Sequence, residues 1–210
     1  VAAPGLKGDY IRPNMALNWR NIHQAVEDSL SRMQIDTIDL YQVHWPDRNT
    51  NFFGDMMYSH NEKEHYTPIL ETLEALAEVI KQGKVRYIGI SNETPWGFMQ
   101  YLRLAEKHDL PRIVSIQNPY NLLNRSFEIG MSEISQRENV PLLPYSPLAF
   151  GALTGKYEHD QWPEGARLTI HKRFARYNST PMALEATQAY VDLAREFGLS
   201  PAQMALAFVN

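Results

Sequence analysis

Four short apolar runs finish in polar side chains: Val43-His44-Trp45, Ile90-Ser91-Asn92, Ile116-Gln117-Asn118 and Pro144-Tyr145-Ser146. A buried polar group left unpaired costs about 1–3 kcal/mol. Four such endings in succession therefore argue for a polar ligand site rather than tolerated accidents, although any one alone could be a satisfied structural hydrogen bond. His44 is the member able to exchange a proton near neutral pH. Ser91, Asn92 and Gln117 offer donors and acceptors suited to a flat polar group such as a carboxamide, and Tyr145 offers a ring face for stacking. The glycine-containing run 146–156, SPLAFGALTGK, follows Tyr145 directly. Backbone N–H groups with one lysine are what phosphate binding needs. The run matches neither a Walker loop nor G-x-G-x-x-G, so composition alone makes the phosphate idea weak.

Other constellations carry less. His60 and His65 with Glu62 and Glu64 could be drawn as a metal set, but the spacing would need a helix and the local sequence lacks helical periodicity. No metal is expected. Asp36 and Asp39 resemble a carboxylate pair but fall at the start of a strand, away from the ligand face. No Ser-His-Asp arrangement can be proposed from the spacing.

The elements that must position these groups are well punctuated. Thr67-Pro68, Thr94-Pro95, Thr180-Pro181 and Ser200-Pro201 each place a hydroxyl before a proline suited to the first helical position. Apolar residues recur at helical spacing after each, and Ser200 with Gln203 forms a capping box. Asn21–Arg32 carries another amphipathic stripe. Between the helices lie β-branched or apolar runs at Thr37–Trp45, Val85–Ser91, Arg112–Asn118 and Leu142–Ser146. Such alternation predicts βα units and a parallel sheet whose carboxyl ends share one face. Two connections, Asp47–Tyr66 and Glu158–Ser179, are too long for simple turns and follow strands. They belong on the side where α/β proteins bind ligands. The first carries Phe52, Phe53, Met56, Met57 and Tyr58; the second carries Arg167, Lys172, Arg173 and Arg176 with Trp162, Phe174 and Tyr177.

Composition sets the outer bounds. The 210 residues are 44% apolar and 11% aromatic, too rich for a disordered chain. A net charge of −4 argues against general affinity for nucleic acid or an anionic membrane. The absence of cysteine removes disulfides, thiolate metal sites and a cysteine nucleophile. No apolar run approaches the roughly 20 residues of a membrane helix. The opening Val-Ala-Ala-Pro-Gly has no signal-peptide character and reads like a loop after a missing strand. With no repeat or linker, the chain reads as one α/β domain or part of one.

At the level of motifs, 37–46 (TIDLYQVHWP), 83–92 (GKVRYIGISN), Gln117-Asn118-Pro119-Tyr120-Asn121 and Tyr145-Ser146-Pro147-Leu148 resemble the aldo-keto reductase superfamily. The segments 122–128 (LLNRSFE) and 153–157 (LTGKY) are most similar to its bacterial Tas-like branch. The resemblance runs in order over essentially the whole chain. It implies a (β/α)₈ TIM barrel and a cytoplasmic enzyme that reduces aldehydes or ketones with NADPH, a small-molecule carbonyl being the substrate, with no nucleic-acid or membrane partner. It further implies that His44 orients the carbonyl oxygen and that Ser91, Asn92 and Gln117 hold the nicotinamide carboxamide. Tyr145 would stack on the nicotinamide ring. Ser146, Leu148, Gly151 and Lys156 would line the pyrophosphate, and Arg167 would clamp the cofactor further out.

The departures carry equal weight. Of the family's Asp, Tyr, Lys and His tetrad, the histidine alone is found. A (β/α)₈ barrel takes about 250 residues, and about four βα units are visible in residues 1–210. The expectation is one barrel domain without its first strands and its last strand, inactive by itself. Two other readings stay open. A non-catalytic nucleotide-binding regulatory protein of the same fold, like the channel-associated β subunits, would lack the tyrosine and lysine. A barrel enzyme with paired carboxylates would end its strands in Asp or Glu; Glu93, just past Ser91-Asn92, comes nearest.

Overall fold

The computed structural model describes residues 16–51 and 57–210. Readings that rest on the opening of the chain, and on Phe52, Phe53 and Met56, fall outside those residues. The chain divides into two compact units, Val1–Gln117 with Gly130–Leu143, and Asn118–Ile129 with Pro144–Asn210.

The first unit is built from βα alternation. Helix α1 (Trp19–Met33) starts where the Asn18 side chain accepts from Asn21 N at 3.0 Å, and it buries Ile22, Val26 and Leu30 along one stripe. Strand β1 (Ile38–Val43), helix α2 (Ile69–Lys81), strand β2 (Val85–Ser91), helix α3 (Pro95–Lys107) and strand β3 (Ile113–Gln117) follow. The strands lie in the order β1-β2-β3, all parallel, with Val43 opposite Ile90 and Ser91 opposite Gln117. Ile88, Ile90, Ile113 and Ile116 are buried, as are Leu73, Leu76 and Val79 of α2 and Phe98 and Leu102 of α3. A parallel sheet covered by helices has this interior.

Two local expectations differ. Thr67 does not cap α2: Pro68 takes the cap position without a side-chain bond, and the Thr67 N–H instead donates to Asp47 Oδ2 at 3.1 Å. The same oxygen accepts from Leu17 N at 2.9 Å, so Asp47 ties together the approaches to α1 and α2. Helix α4 (Met131–Arg137), absent from the sequence reading, has seven residues and buries Met131 and Ser135, too short a stripe to show periodicity.

The fourth apolar run, Leu142–Ser146, forms no continuous strand. It makes two separate parallel bridges, Leu142 with Ile116 and Tyr145 with Pro119. Pro141, Pro144 and Pro147 cannot donate to a ladder, which is why pairing is intermittent. The fold is α/β, with this partial parallel sheet forming part of a barrel.

In the second unit, the expected loop Glu158–Ser179 is a chain of short helical turns: 3₁₀ turns at Glu158–Asp160 and Lys172–Tyr177 flank the single α-turn α5 (Arg167–Ile170). Another 3₁₀ segment spans Ala149–Thr154. Helices α6 (Pro181–Glu196) and α7 (Pro201–Val209) both begin at proline. Thr180 caps α6 through Ala183 N at 3.2 Å, whereas Ser200 makes no side-chain cap, so the predicted capping box is not formed. Ala149, Ala152, Leu153, Tyr177 and Ala205 form this unit's core, with Leu122, Leu148, Phe150 and Tyr190 against it. Among the described residues no helix is long and apolar enough to cross a membrane.

Candidate active site

In the first unit the sheet register itself assembles the predicted polar group. Ser91 and Gln117 face each other across β2 and β3, and the Ser91 hydroxyl donates to the Gln117 carbonyl at 2.6 Å. Asn92 sits one residue beyond β2 with φ 54°, a left-handed conformation that asparagine tolerates better than most residues. Its backbone N–H donates to the same Gln117 carbonyl at 3.1 Å. Its side-chain amide donates to the His44 carbonyl at 2.8 Å and to Ser91 Oγ at 3.1 Å. Asn92 thus joins the ends of all three strands. Ser91 and Asn92 are each 4% exposed, while His44 is exposed and its ring lies 4.4 Å from the buried Trp45 ring. The side chains of Ser91 and Asn92 and the backbone carbonyls of His44 and Gln117 therefore meet where the three strands end.

Beside this group lies a pair that sequence reasoning missed. Arg48 Nη1 donates to Glu93 Oε1 at 2.9 Å and Nη2 to Oε2 at 2.6 Å, a bidentate fork with side chains 9% and 2% exposed. Nη2 also reaches Thr94 Oγ1 at 3.2 Å, the oxygen that caps α3. The Glu93 carboxylate accepts in addition from Thr94 N at 2.9 Å, and the guanidinium lies 4.9 Å from the Trp96 ring centre. Burial disfavours the Arg48 charge, yet the hydrogen bond and attraction to Glu93 outweigh it and hold the guanidinium above its ordinary range. Gly97 completes the arrangement, because a Cβ there would overlap Glu93 Oε2 and Arg48 Nη2. Glu93 next to Asn92 and Arg48 four residues after His44 were visible in the sequence; their pairing over 45 positions was not.

In the second unit, Tyr145 is fixed by its backbone: its N–H donates to Asn118 O at 3.1 Å and its carbonyl accepts from Tyr120 N at 3.3 Å. Burial pushes its phenol up to about 12, with Arg176 opposing, so near neutral pH it presents an uncharged ring. The Ser146 carbonyl accepts from the fully buried Asn121 side chain at 2.9 Å. Ser146, Ala149, Phe150 and Gly151 all have positive φ, 58°, 48°, 58° and 99°. Four left-handed residues within six positions give this turn its tight shape. At Gly151 a Cβ would stand 3.4 Å from Lys156 Cε, so the lysine stem folds over the turn. Ser146, Leu148, Gly151 and Lys156 thus share one tight segment.

Arg167 starts α5, where the Tyr157 hydroxyl accepts from Leu168 N at 3.1 Å. Its guanidinium lies 5.0 Å from the rings of both Phe150 and Phe174. Arg176 lies 5.4 Å from Phe150 and 5.6 Å from Tyr177. Phe150 therefore carries two guanidinium groups; the sequence reading names Arg167, Arg176, Phe174 and Tyr177 in this loop but gives a cofactor role to Arg167 alone. No group of three or more potential metal ligands occurs among the described residues.

Parallel strands that deliver polar side chains at their carboxyl ends, under covering helices, give the chain the ligand-binding edge of an α/β fold. The chain belongs to the aldo/keto reductase family, whose model matches residues 6–210. It is 58% identical over 211 residues to Protein tas of Escherichia coli K12, covering 100% of this chain and 61% of that protein. It is 38% identical to an aldo-keto reductase of Babesia bovis over 193 residues, 86% of this chain and 67% of that protein. Among solved structures, the glycerol dehydrogenase of Gluconobacter oxydans superposes with a TM-score of 0.70 at 28% identity, over 98% of this chain and 56% of that one. The chain thus spans 61% of the length of the Escherichia coli relative.

Proposed function

We propose that the whole protein is an NADPH-dependent oxidoreductase that reduces aldehydes or ketones to alcohols, acting in the cytoplasm as its family resemblance implies. The observation that carries this reading is the hydrogen-bonded chain from the His44 carbonyl through the Asn92 and Ser91 side chains to the Gln117 carbonyl at the sheet's carboxyl end. Membership of the aldo/keto reductase family supports it.

The residues present fit such a cofactor. In the first unit, Asn92 is pinned through its amide nitrogen, which fixes its carboxamide plane before any ligand arrives. A flat carboxamide is the group such a set would hold, with Ser91 and Gln117 beside it. In the second unit, Leu148 near the right-handed region followed by left-handed Ala149 gives the alternation that turns successive N–H groups into an anion-binding concavity. Ser146, Leu148, Gly151 and Lys156 would hold the pyrophosphate there, and Arg167 would add charge farther out. Tyr145 would lend its uncharged ring for stacking. When bound, the reduced nicotinamide supplies the hydride that reaches the carbonyl carbon. His44, exposed at the end of β1, would hold the carbonyl oxygen through its ring and steady the proton delivered there.

The test uses the whole protein. NADPH should quench its intrinsic fluorescence, and NADPH oxidation should follow addition of an aromatic aldehyde such as 4-nitrobenzaldehyde. His44→Ala should lower turnover by about 100-fold or more while leaving NADPH affinity within about twofold, as expected for loss of an acid–base group. An equal loss in both would contradict the role of His44, and quenching without turnover would point to a nucleotide-binding regulator.

A further inference from the structure

The Arg48–Glu93 pair is larger than stability requires. Two charges are taken almost wholly out of water, and a well-packed apolar pair of similar volume is commonly as stable or more so. Its place in the chain is informative. Glu93 directly follows Asn92, whose left-handed backbone must be held, and Arg48 closes the turn 44–48 that leaves β1 through His44. Asn92 Nδ2 to the His44 carbonyl makes one tie between these segments, and the Arg48–Glu93 fork makes a second. A single hydrogen bond leaves a hinge; two ties set the direction of the turn and of the asparagine together. Thr94 and Trp96 then anchor the fork to the first turn of α3.

We propose that Arg48 and Glu93 are a positioning pair which sets the aim of Asn92 and His44 toward cofactor and carbonyl. The inference rests on the proposed function and adds two residues to it. Neither residue touches the reacting atoms; both act through their neighbours. The pair's chemistry is geometric, since lysine at position 48 could keep the charge but not the planar fork.

The experiment compares the parent protein, Arg48→Met, the double variant Arg48→Met/Glu93→Leu and Arg48→Lys. Thermal unfolding, NADPH affinity by fluorescence quenching, and kcat and KM for 4-nitrobenzaldehyde are measured for each. Arg48→Met should unfold well below the parent because the carboxylate is left buried alone. The double variant should recover the parent's unfolding temperature yet bind NADPH about tenfold more weakly, with kcat falling by a larger factor than KM rises, since a misplacement of about 1 Å can cost about 100-fold. Arg48→Lys should keep most of the stability and still lose several-fold in affinity. Parent-like affinity and kcat in a thermally restored double variant would overturn the proposal and leave the reductase reading intact. If the double variant does not fold, parent-like affinity and kcat in Arg48→Lys overturn it instead. Absence of NADPH quenching in the parent itself would remove the reductase reading, and this inference with it.

Discussion

The two units hold their functional groups by opposite means. In the first, regular parallel pairing does the work: Ser91 and Gln117 are opposed by register, and Asn92 bridges three strand ends through bonds of 2.8–3.1 Å. The groups so fixed are neutral, and beside them Arg48 and Glu93 pair with each other. In the second, isolated bridges such as Tyr145 with Pro119 take the place of a continuous sheet. A run of left-handed residues shapes the turn after Tyr145, and exposed arginines are placed by stacking on Phe150, Phe174 and Tyr177. That difference matches what each would hold. A carboxamide is recognised by hydrogen-bond direction, which rigid strands supply. A phosphate is recognised by charge and N–H groups, which a shaped turn with exposed cations supplies.

The sharpest way to break the comparison is to strike the buried pair without touching the strands. Gly97→Ala adds one methyl group where Glu93 Oε2 and Arg48 Nη2 already stand. If the first unit depends on that fork, the variant should lose about 3–5 kcal/mol in urea unfolding, the range found when buried pairs are broken. A change below about 1 kcal/mol would mean the pair can move aside at little cost, and the contrast with the second unit would weaken. The second unit should answer differently. Tyr145→Ala removes a ring and no charge, and should weaken NADPH binding by about 1–3 kcal/mol, the scale of a base–aromatic stack. Unchanged affinity would take Tyr145 out of the site.

How far the sequence could be read follows the same division. Thr37–Trp45, Val85–Ser91 and Arg112–Asn118 were predicted to be strands, and β1, β2 and β3 lie within them. Apolar residues covered on both faces leave a strong local signature, and polar terminators such as Ser91 and Gln117 stand out against it. Helices opened by Thr94-Pro95 and Thr180-Pro181 were legible because the cap is local chemistry. What failed was decided at a distance. Asp47 drew the Thr67 N–H away from the expected cap, across 20 residues. Glu93 stands out in the sequence as the carboxylate nearest a strand end, but nothing local reveals that Arg48 lies against it. In the second unit the 3₁₀ turns of 158–177 have no periodicity to detect, and the stacking of Arg176 on Phe150 depends on backbone angles that composition does not encode. The family resemblance adds what local reasoning does not, a proposed shared role for residues as far apart in the sequence as His44 and Lys156.

The smallest effect separates buried from exposed charge. Glu158 accepts from Arg195 Nη1 at 2.9 Å and Nη2 at 2.6 Å, the same fork as Arg48–Glu93, but the arginine side chain is 54% exposed. The Arg195 fork, helped by Gln188, holds the Glu158 carboxyl below its ordinary 4.5. A carboxyl with a lowered folded value contributes stability that is present above 4.5 and fades as pH falls through the folded value. Solvent screens such a pair, so Arg195→Ala should lower the unfolding temperature at neutral pH by only about 1–3 °C. The gap between variant and parent should narrow as pH falls below 4.5 and through the lowered folded value of the carboxyl. Thermal unfolding followed by circular dichroism across that range measures it. A gap as large as that of Gly97→Ala would show that bidentate geometry rather than burial sets the worth of these forks. A gap that persists unchanged into acid would assign it to the packing of the arginine stem on α6 instead of to its charge.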